Sequence, residues 1–259
     1  MRYSLPFMFV ALSATMSGVL LAADAVPNPK AEVMLIKDQA GKVSVQMLEG
    51  HAHVRPAVAW TPAAVSAALS DMPKADAQRG KVLHNEMFCA SCHGVTGESI
   101  SDNWPSLAGQ RANYTYKMLL DYQSGLRRED EKASIMKAEA ELLSKQDMAD
   151  LAAFYAAQPL PVAAHVADAA TSHMIRKGEA SRLVTPCASC HGLHGQGGIN
   201  ESPALAGLPR DYFIRTMQYF RDGKRNNDSV KAMRAFAKPL TDAEIIALAD
   251  YYAPVVAPH

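Results

Sequence analysis

The apolar residues along most of this chain are spaced as helices require. Leu151, Phe154 and Tyr155 fall three and four positions apart on one face of a segment that begins after Ser144. An equivalent segment begins after Thr241. Each opening residue is a hydroxyl residue followed three positions later by an acidic one, and in the second segment the pair forms a capping box. Both patterns predict amphipathic helices.

Two further helices are predicted earlier in the chain. They cover residues 75–88 and 111–124, and Gly125 ends the second. Beyond residue 75 no stretch shows convincing alternation of apolar and polar residues, which is the signature of a half-buried strand. The pattern therefore predicts an all-α fold for the larger part of the chain.

Residues 26–75 follow a different pattern. The short runs 33–37 and 42–46 flank the turn-forming residues 38–41 and predict a small β-hairpin. Thr61 and Pro62 then predict the start of a short alanine-rich helix. This N-terminal extension either packs on the domains that follow or docks a partner protein, and its sequence favours neither role.

The first segment of the chain resembles an export signal. Arg2 gives a short positive region, residues 5–21 are almost wholly apolar, and Ala23-Asp24-Ala25 offers a small-residue cleavage site. We expect residues 1–25 to be removed on export to the periplasm. An uncleaved membrane anchor is the alternative, but Pro6 and the polar interruptions favour cleavage.

Composition and charge exclude several classes of protein. Lys and Arg number 26, as do Asp and Glu, so the formal net charge is zero. A nucleic-acid binder usually shows a strong basic excess. This chain has no such excess, so we do not expect it to bind nucleic acid. With 49% hydrophobic residues the chain can bury a core, and four cysteines are too few for a disulfide-rich scaffold.

One domain is present twice. Residues in the two halves match at an offset of 98 and, after one residue is lost beyond Gly223, at an offset of 97. The matched pairs are Gly80 and Gly178, Cys89 and Cys187, His93 and His191, Tyr114 and Tyr212, Met136 and Met233, and Tyr155 and Tyr252. A register held over such a length predicts two tandem domains of the same fold.

The four cysteines lie in two copies of one motif. Cys89-Ala-Ser-Cys92-His93 and Cys187-Ala-Ser-Cys190-His191 both have the CxxCH pattern. This pattern attaches c-type haem, with the two thiols bonded to the haem vinyl groups and the histidine beside the iron. The sequence therefore predicts two covalently bound haems.

A CxxC pair has two other uses in proteins, a redox disulfide and a zinc site. A redox disulfide within each CxxC does not require the histidine, and it normally occurs in a βαβ setting. A four-cysteine zinc site fits the count, but the separation of Cys92 and Cys187 is far longer than a zinc ribbon uses. Haem is the favoured interpretation.

The repeat also selects the second ligand of each iron. Electron-carrying haems usually have histidine on one side and methionine or histidine on the other. Met118 aligns with Thr216 and Met148 with Ile245, whereas Met136 aligns with Met233. This pair is predicted to bind the two irons from a loop before the last helix of each domain. The rival histidines have no repeat partner: His84, His165, His173 and His194.

A proline follows each CxxCH histidine by twelve residues. A carbonyl near Pro105 or Pro203 is placed to accept the Nδ1–H of the imidazole, which would fix the ring and strengthen the ligand. Taken alone, each proline is only a turn former.

These motifs together resemble the class I cytochromes c, specifically the dihaem cytochrome c4 type. The resemblance covers about residues 75–254. It rests on the CxxCHG openings, the Pro-x-Leu-Ala-Gly stretches, the Gly-Lys-Arg-Asn-Asn-Asp stretch at 223–228 and the methionine-bearing segments. It implies haem domains at 76–158 and 172–259, joined by a Pro/Ala-rich linker at 159–171. In the first domain, Gly-Leu-Arg-Arg-Glu-Asp at 125–130 departs from the pattern.

The resemblance implies electron transfer in the periplasm. The implied donor is a quinol-oxidising complex or a dehydrogenase, and the implied acceptor is a terminal oxidase or reductase. Residues 26–75 depart from the family pattern and leave peripheral membrane association open. The alternatives are the electron-accepting subunit of a dehydrogenase, or a dihaem enzyme acting on a small inorganic substrate, such as a peroxidase or a dehydrogenase of sulfur compounds.

Overall fold

The computed structural model describes residues 57–255 and, nearer the N-terminus, two short strands. Strands β1 (Glu32–Lys37) and β2 (Val43–Leu48) pair antiparallel, with Val33 opposite Met47. The predicted hairpin is therefore present, although its turn is outside the described residues. The export signal predicted at 1–25 also lies outside them.

Helix α1 (Pro62–Ser70) starts where the sequence predicts it. The Thr61 side chain accepts a hydrogen bond from the Ala64 amide at 3.1 Å, and Pro62 occupies the first helical position. There a proline costs nothing, because the first amides of a helix lack intrahelical partners. Val65 is the buried residue of this helix.

The two halves that follow repeat the same order of helices. The first half contains α2 (Ala77–Glu86), α3 (Ala90–His93), α4 (Ala112–Gln123), α5 (Glu131–Glu141) and α6 (Lys145–Ala156). The second contains α7 (Ala169–Lys177), α8 (Ala188–His191), α9 (Arg210–Arg221), α10 (Ala232–Ala237) and α11 (Asp242–Tyr252). Two short 3₁₀ turns, Ala180–Arg182 and Ser229–Lys231, interrupt the second half.

The last helix of each half begins with a reciprocal cap. In α11 the Thr241 hydroxyl accepts from the Glu244 amide, and the Glu244 carboxylate accepts from the Thr241 amide. Ser144 and Asp147 form the same box in α6. The sequence pattern predicts the capping box only at Thr241, because glutamate is the usual residue at the third helical position. In α6 that position is occupied by Asp147.

The prediction that Met136 and Met233 lie in loops is wrong. Met136 lies within α5 and Met233 within α10. The α5 segment is rich in strong helix formers, and Asp130 caps it by accepting from the Ala133 amide at 2.8 Å. A short helix therefore presents each methionine.

Each half has its own apolar core. In the first half Tyr116, Met148 and Tyr155 pack between α4 and α6. In the second half Ile175, Ile245 and Tyr252 pack among α7, α9 and α11. Tyr155 and Tyr252 are equivalent in the repeat, so the two cores are built on one plan.

The segment between the halves follows a fixed path. The Ala164 amide donates to the Ala253 carbonyl at 2.9 Å, and the His165 amide donates to the Tyr251 carbonyl at 3.0 Å. The linker therefore runs along the end of the second half. Helix α7 begins at Ala169, two residues before the predicted end of the linker at 171. Within the described part of the chain, no helix combines the length and apolar character needed to cross a membrane.

Candidate functional site

A cavity of about 1020 Å³ lies between the two halves, and both CxxCH segments line it. All eight residues that the sequence predicts as haem attachment sites or iron ligands contribute to its wall. They are Cys89, Cys92, His93, Met136, Cys187, Cys190, His191 and Met233. The structure thus brings together the cysteines, histidines and repeat-matched methionines.

Each CxxCH motif forms a single helical turn. The His93 amide donates to the Cys89 carbonyl at 3.0 Å, and the His191 amide donates to the Cys187 carbonyl at the same distance. Residues four apart lie on the same face of a helix, so each turn places the first cysteine and the histidine side by side. Gly94 ends the first turn with a positive φ of 77°, and a Cβ there would collide with the Glu98 carbonyl.

Backbone carbonyls orient the two histidines. Nδ1 of His93 lies 2.9 Å from the Pro105 carbonyl, and Nδ1 of His191 lies 2.9 Å from the Pro203 carbonyl. When Nδ1 carries the donated hydrogen, Nε2 is left with a free lone pair. Burial lowers the pKa of both imidazoles, which favours this neutral form. The expectation of a carbonyl partner near each proline is met.

The buried polar atoms at this site fit a c-type haem. Nε2 of His93 is buried, and no hydrogen-bond partner reaches it from the described residues. The four cysteines form no disulfide with one another, and both cysteines of each motif line the cavity. Paired cysteines beside a free imidazole nitrogen suit thioether attachment next to an iron ligand.

Neither alternative use of the cysteines gains support from this geometry. Across residues 57–255 no three side chains of His, Cys, Asp or Glu converge to hold a metal ion, as a four-cysteine zinc site would require. The CxxC segments form short helical turns rather than the start of a helix after a strand, which is the usual setting of a redox disulfide.

The methionines near the first motif have different surroundings. The sulfur of Met118 accepts from Arg225 and Asn227, each at 3.3 Å, and lies 3.7 Å from Arg127 Nη1. Met148 is fully buried in the core. Met136 is partly buried beside both apolar clusters of the first half and faces the cavity.

The buried histidine near the first motif already uses both ring nitrogens. Nδ1 of His84 lies 2.9 Å from the Tyr155 hydroxyl, and Nε2 lies 3.0 Å from the Gly94 carbonyl. His165 and His194 pack edge to face at the surface. These contacts occupy His84, the rival candidate that lies closest to the motif, with structural bonds.

A cluster of buried charges lies where the two halves meet, and the sequence did not predict it. Its members are Lys117, Asp121, Arg127, Glu129 and Arg225. Lys117 pairs with Asp121 at 2.8 Å and also donates to the Asn227 carbonyl of the other half at 2.8 Å. The signal was available, because Arg127 and Arg225 also match at the offset of 98.

The chain was compared with known families and proteins. The sequence model of the cytochrome c family matches it twice, over residues 77–156 and 175–253. Cytochrome c4 of Thiocapsa roseopersicina is 36% identical over 180 residues, which span 68% of this chain and 91% of the relative. The thiosulfate dehydrogenase electron acceptor of Stutzerimonas stutzeri is 32% identical over 209 residues, which span 76% of this chain and 94% of the relative.

Solved structures show the same likeness. Reduced recombinant cytochrome c4 from Pseudomonas stutzeri matches with a TM-score of 0.62 and 31% identity, covering 70% of this chain and 99% of that one. Thiosulfate dehydrogenase from Marichromatium purpuratum matches with a TM-score of 0.59 and 28% identity, covering 68% of this chain and 39% of that one. The similarity therefore extends over both halves.

Proposed function

The chain belongs to the cytochrome c family as a two-domain member similar to cytochrome c4, with two covalently bound c-type haems, and on this premise we propose that it is a periplasmic electron carrier rather than an enzyme. In this role it takes electrons one at a time from a quinol-oxidising complex or a dehydrogenase. It passes them toward a terminal oxidase or reductase.

The proposed sites follow the repeat, with two thioether cysteines, one axial histidine and one axial methionine in each domain. In the first domain these are Cys89, Cys92, His93 and Met136. In the second domain they are Cys187, Cys190, His191 and Met233. A haem bound at each site supplies one reversible one-electron iron couple.

The repeat-matched pairing of histidine and methionine on the cavity wall is the observation that carries the proposal. The Pro105 and Pro203 carbonyls hold the two imidazoles with Nε2 free, as an axial ligand requires. The Met118 sulfur already accepts two N–H groups, which supports Met136 as the iron ligand. With both axial positions filled by side chains, no coordination position remains for a substrate.

The arrangement of the two sites supports a relay. Both motifs line the same cavity, so one continuous space adjoins both sites. The histidines belong to hydrogen-bonded turns and the methionines to helices, and this backbone structure keeps the ligands in place when the charge changes. Small structural change on gaining or losing an electron favours fast transfer.

We further propose how the chain is organised. Residues 1–25 direct export and are removed, and residues 26–75 form an extension. The first haem domain spans 76–158, the linker 159–171 and the second haem domain 172–259. The family match over 77–156 and 175–253 supports the two larger units.

A second candidate function is to accept electrons from a dehydrogenase of small sulfur compounds. The relative from Stutzerimonas stutzeri bears the name thiosulfate dehydrogenase electron acceptor and matches 76% of this chain. To test this candidate, a thiosulfate dehydrogenase and thiosulfate would be mixed with the oxidised protein. Stoichiometric reduction of the haems that requires both the enzyme and thiosulfate would support this candidate. The candidate would be contradicted if the enzyme reduced this protein no faster than it reduces a cytochrome c4.

The carrier proposal is tested first by adding carbon monoxide to the dithionite-reduced protein. If both irons keep a histidine and a methionine, the low-spin spectrum stays unchanged. A shift in the share of the Soret band that belongs to one haem would reveal an open site. In that case an enzymatic role would replace the proposal.

A further inference from the structure

Each domain contributes one buried arginine to the cavity wall, and the two arginines are built into the structure in the same way. The Arg127 guanidinium lies over the Tyr122 ring with its carbon 4.4 Å from the ring centre. The Arg225 guanidinium lies over the Phe220 ring at 4.5 Å. Both pairs of residues match at the repeat offset of 98.

The two guanidinium groups meet at one point between the domains. Both contact the Met118 sulfur, Arg127 at 3.7 Å and Arg225 at 3.3 Å. Arg127 is 5% exposed and Arg225 is 3% exposed. Two buried cations so close together repel each other, so the anions placed around them have a strong influence on the local potential.

The residue two positions after each arginine breaks the equivalence of the domains. Glu129 accepts from Arg127 Nε at 3.0 Å and from Nη2, whereas Asn227 Oδ1 accepts from Arg225 Nε at 3.0 Å. The first arginine is therefore paired with a carboxylate and the second with a neutral amide. This single exchange changes the charge of one site by a full unit.

Glu129 carries a charge that solvent does not screen. Its side chain is 4% exposed, and its Oε2 atom finds no hydrogen-bond donor within the described part of the chain. Burial alone would raise the pKa of its carboxyl, but Arg127 and Arg225 outweigh burial and hold the pKa below its usual value. The group is therefore ionised at neutral pH.

The carboxylate belongs to the first domain's side of the cavity. Its partner Arg127 stacks on Tyr122, and Tyr122 packs in the small cluster against which Met136 lies. The chain of contacts runs from Glu129 through Arg127 and Tyr122 to the proposed iron ligand. Asn227 holds the equivalent place in the second domain and carries no charge.

We infer that Glu129 makes the two haem sites unequal by lowering the reduction potential of the first domain's haem relative to the second. The inference rests on the proposed carrier function. A haem iron is one unit more positive when oxidised, and a nearby buried anion stabilises that state. One electron then moves from the first site to the second, which oxidises the first and reduces the second without any change of bond or proton.

The test is a redox titration of the holoprotein with Glu129→Gln, a change that removes the charge and keeps the shape. The two potentials of the native protein should move closer together, because the lower one rises more than the higher one. Glu131→Gln is the matched control, since Glu131 is exposed and only two residues away. The control should leave the separation unchanged.

A second variant guards against a change in fold. Glu129→Asn gives the first domain the residue that the second domain already uses to hold its arginine, and it should also narrow the separation. The inference would be overturned if the difference between the two reduction potentials widened, or if it changed by no more than it does in Glu131→Gln. Unchanged low-spin spectra would show that the variants keep their iron ligands.

The same titration in a Met233→His background assigns the shift to a domain. A second histidine ligand lowers the reduction potential of the second haem. In this background the titration wave at the higher potential therefore belongs to the haem of the first domain. Glu129→Gln should raise that wave. If Met233→His lowers neither wave, the proposed ligation fails, while the separation measured in the native background still decides the role of Glu129.

Discussion

Two methionines on the cavity wall differ in what their sulfur atoms contact, and this difference makes the ligand proposal testable residue by residue. Met118 lies in a buried polar setting and accepts from Arg225 and Asn227. Met136 lies on α5, partly buried and facing the cavity. A sulfur that already accepts two hydrogen bonds is a poor candidate to bind a metal as well.

We predict that Met136→Leu opens one of the two irons and Met118→Leu opens neither. Leucine matches methionine closely in volume, so the change in packing alone should cost no more than about 1.5 kcal/mol in either variant. Carbon monoxide added to the reduced protein should shift about half of the Soret absorbance in Met136→Leu. The same response from Met118→Leu would reverse the assignment.

At the scale of elements, helices α2 and α6 are joined by a buried carboxylate. Asp150 accepts from the Asp76 amide at 2.7 Å, from Gln146 at 2.9 Å and from the Arg79 guanidinium. Close approach of the two helices needs Gly80, because a Cβ there would collide with the Asp150 carbonyl. Asp150 therefore ties the N-terminus of α2 to the middle of α6.

This contact predicts a dependence of stability on acid. Burial would raise the pKa of Asp150, but its hydrogen bonds to Asp76 and Arg79 outweigh burial and lower it. The contribution to stability is therefore complete above the unfolded pKa of about 3.9 and is lost as pH falls through the lower folded value. Asp150→Asn should flatten the acid limb of a plot of unfolding free energy against pH, whereas Glu98→Gln, an exposed control, should not.

The helices show which features the sequence could predict. The helices predicted at 75–88 and 111–124 agree with α2 and α4 within two residues at each end, and caps such as Ser144 and Thr241 are local signals that mark where a helix begins. The prediction of a loop around Met136 is wrong, and the composition of the segment itself favours the helix that the structure shows. The buried cluster around Arg127 arises only when two distant segments meet, so it could be found from the repeat but not from local pattern.

At the scale of the whole molecule, a segment outside the family match joins the two haem domains. Trp60 donates through Nε1 to Asp121, and the Lys117 ammonium lies 5.2 Å from the centre of its ring. The other oxygen of the same carboxylate accepts from Asn227 of the second domain at 2.6 Å. Asp121 thus connects the segment before α1, the first domain and the second domain.

We predict that Trp60→Phe weakens the coupling between the domains. The variant keeps an aromatic ring for Lys117 but removes the N–H group, which leaves one oxygen of the buried Asp121 carboxylate without its donor. Such a loss costs about 1–3 kcal/mol. In calorimetry of the holoprotein, the unfolding transition should move to lower temperature and broaden or divide, because each domain then unfolds more independently of the other.

The control for this experiment is Val58→Ala, two residues away on the same segment and 80% exposed. It changes the apolar surface of the segment but leaves the bond to Asp121 in place, so its transition should match that of the native protein. If the unfolding transition of Trp60→Phe also matches that of the native protein, the bond from Trp60 to Asp121 does not help to hold the two domains together. If it behaves as predicted, the bond from Trp60 to Asp121 helps to hold the two domains together.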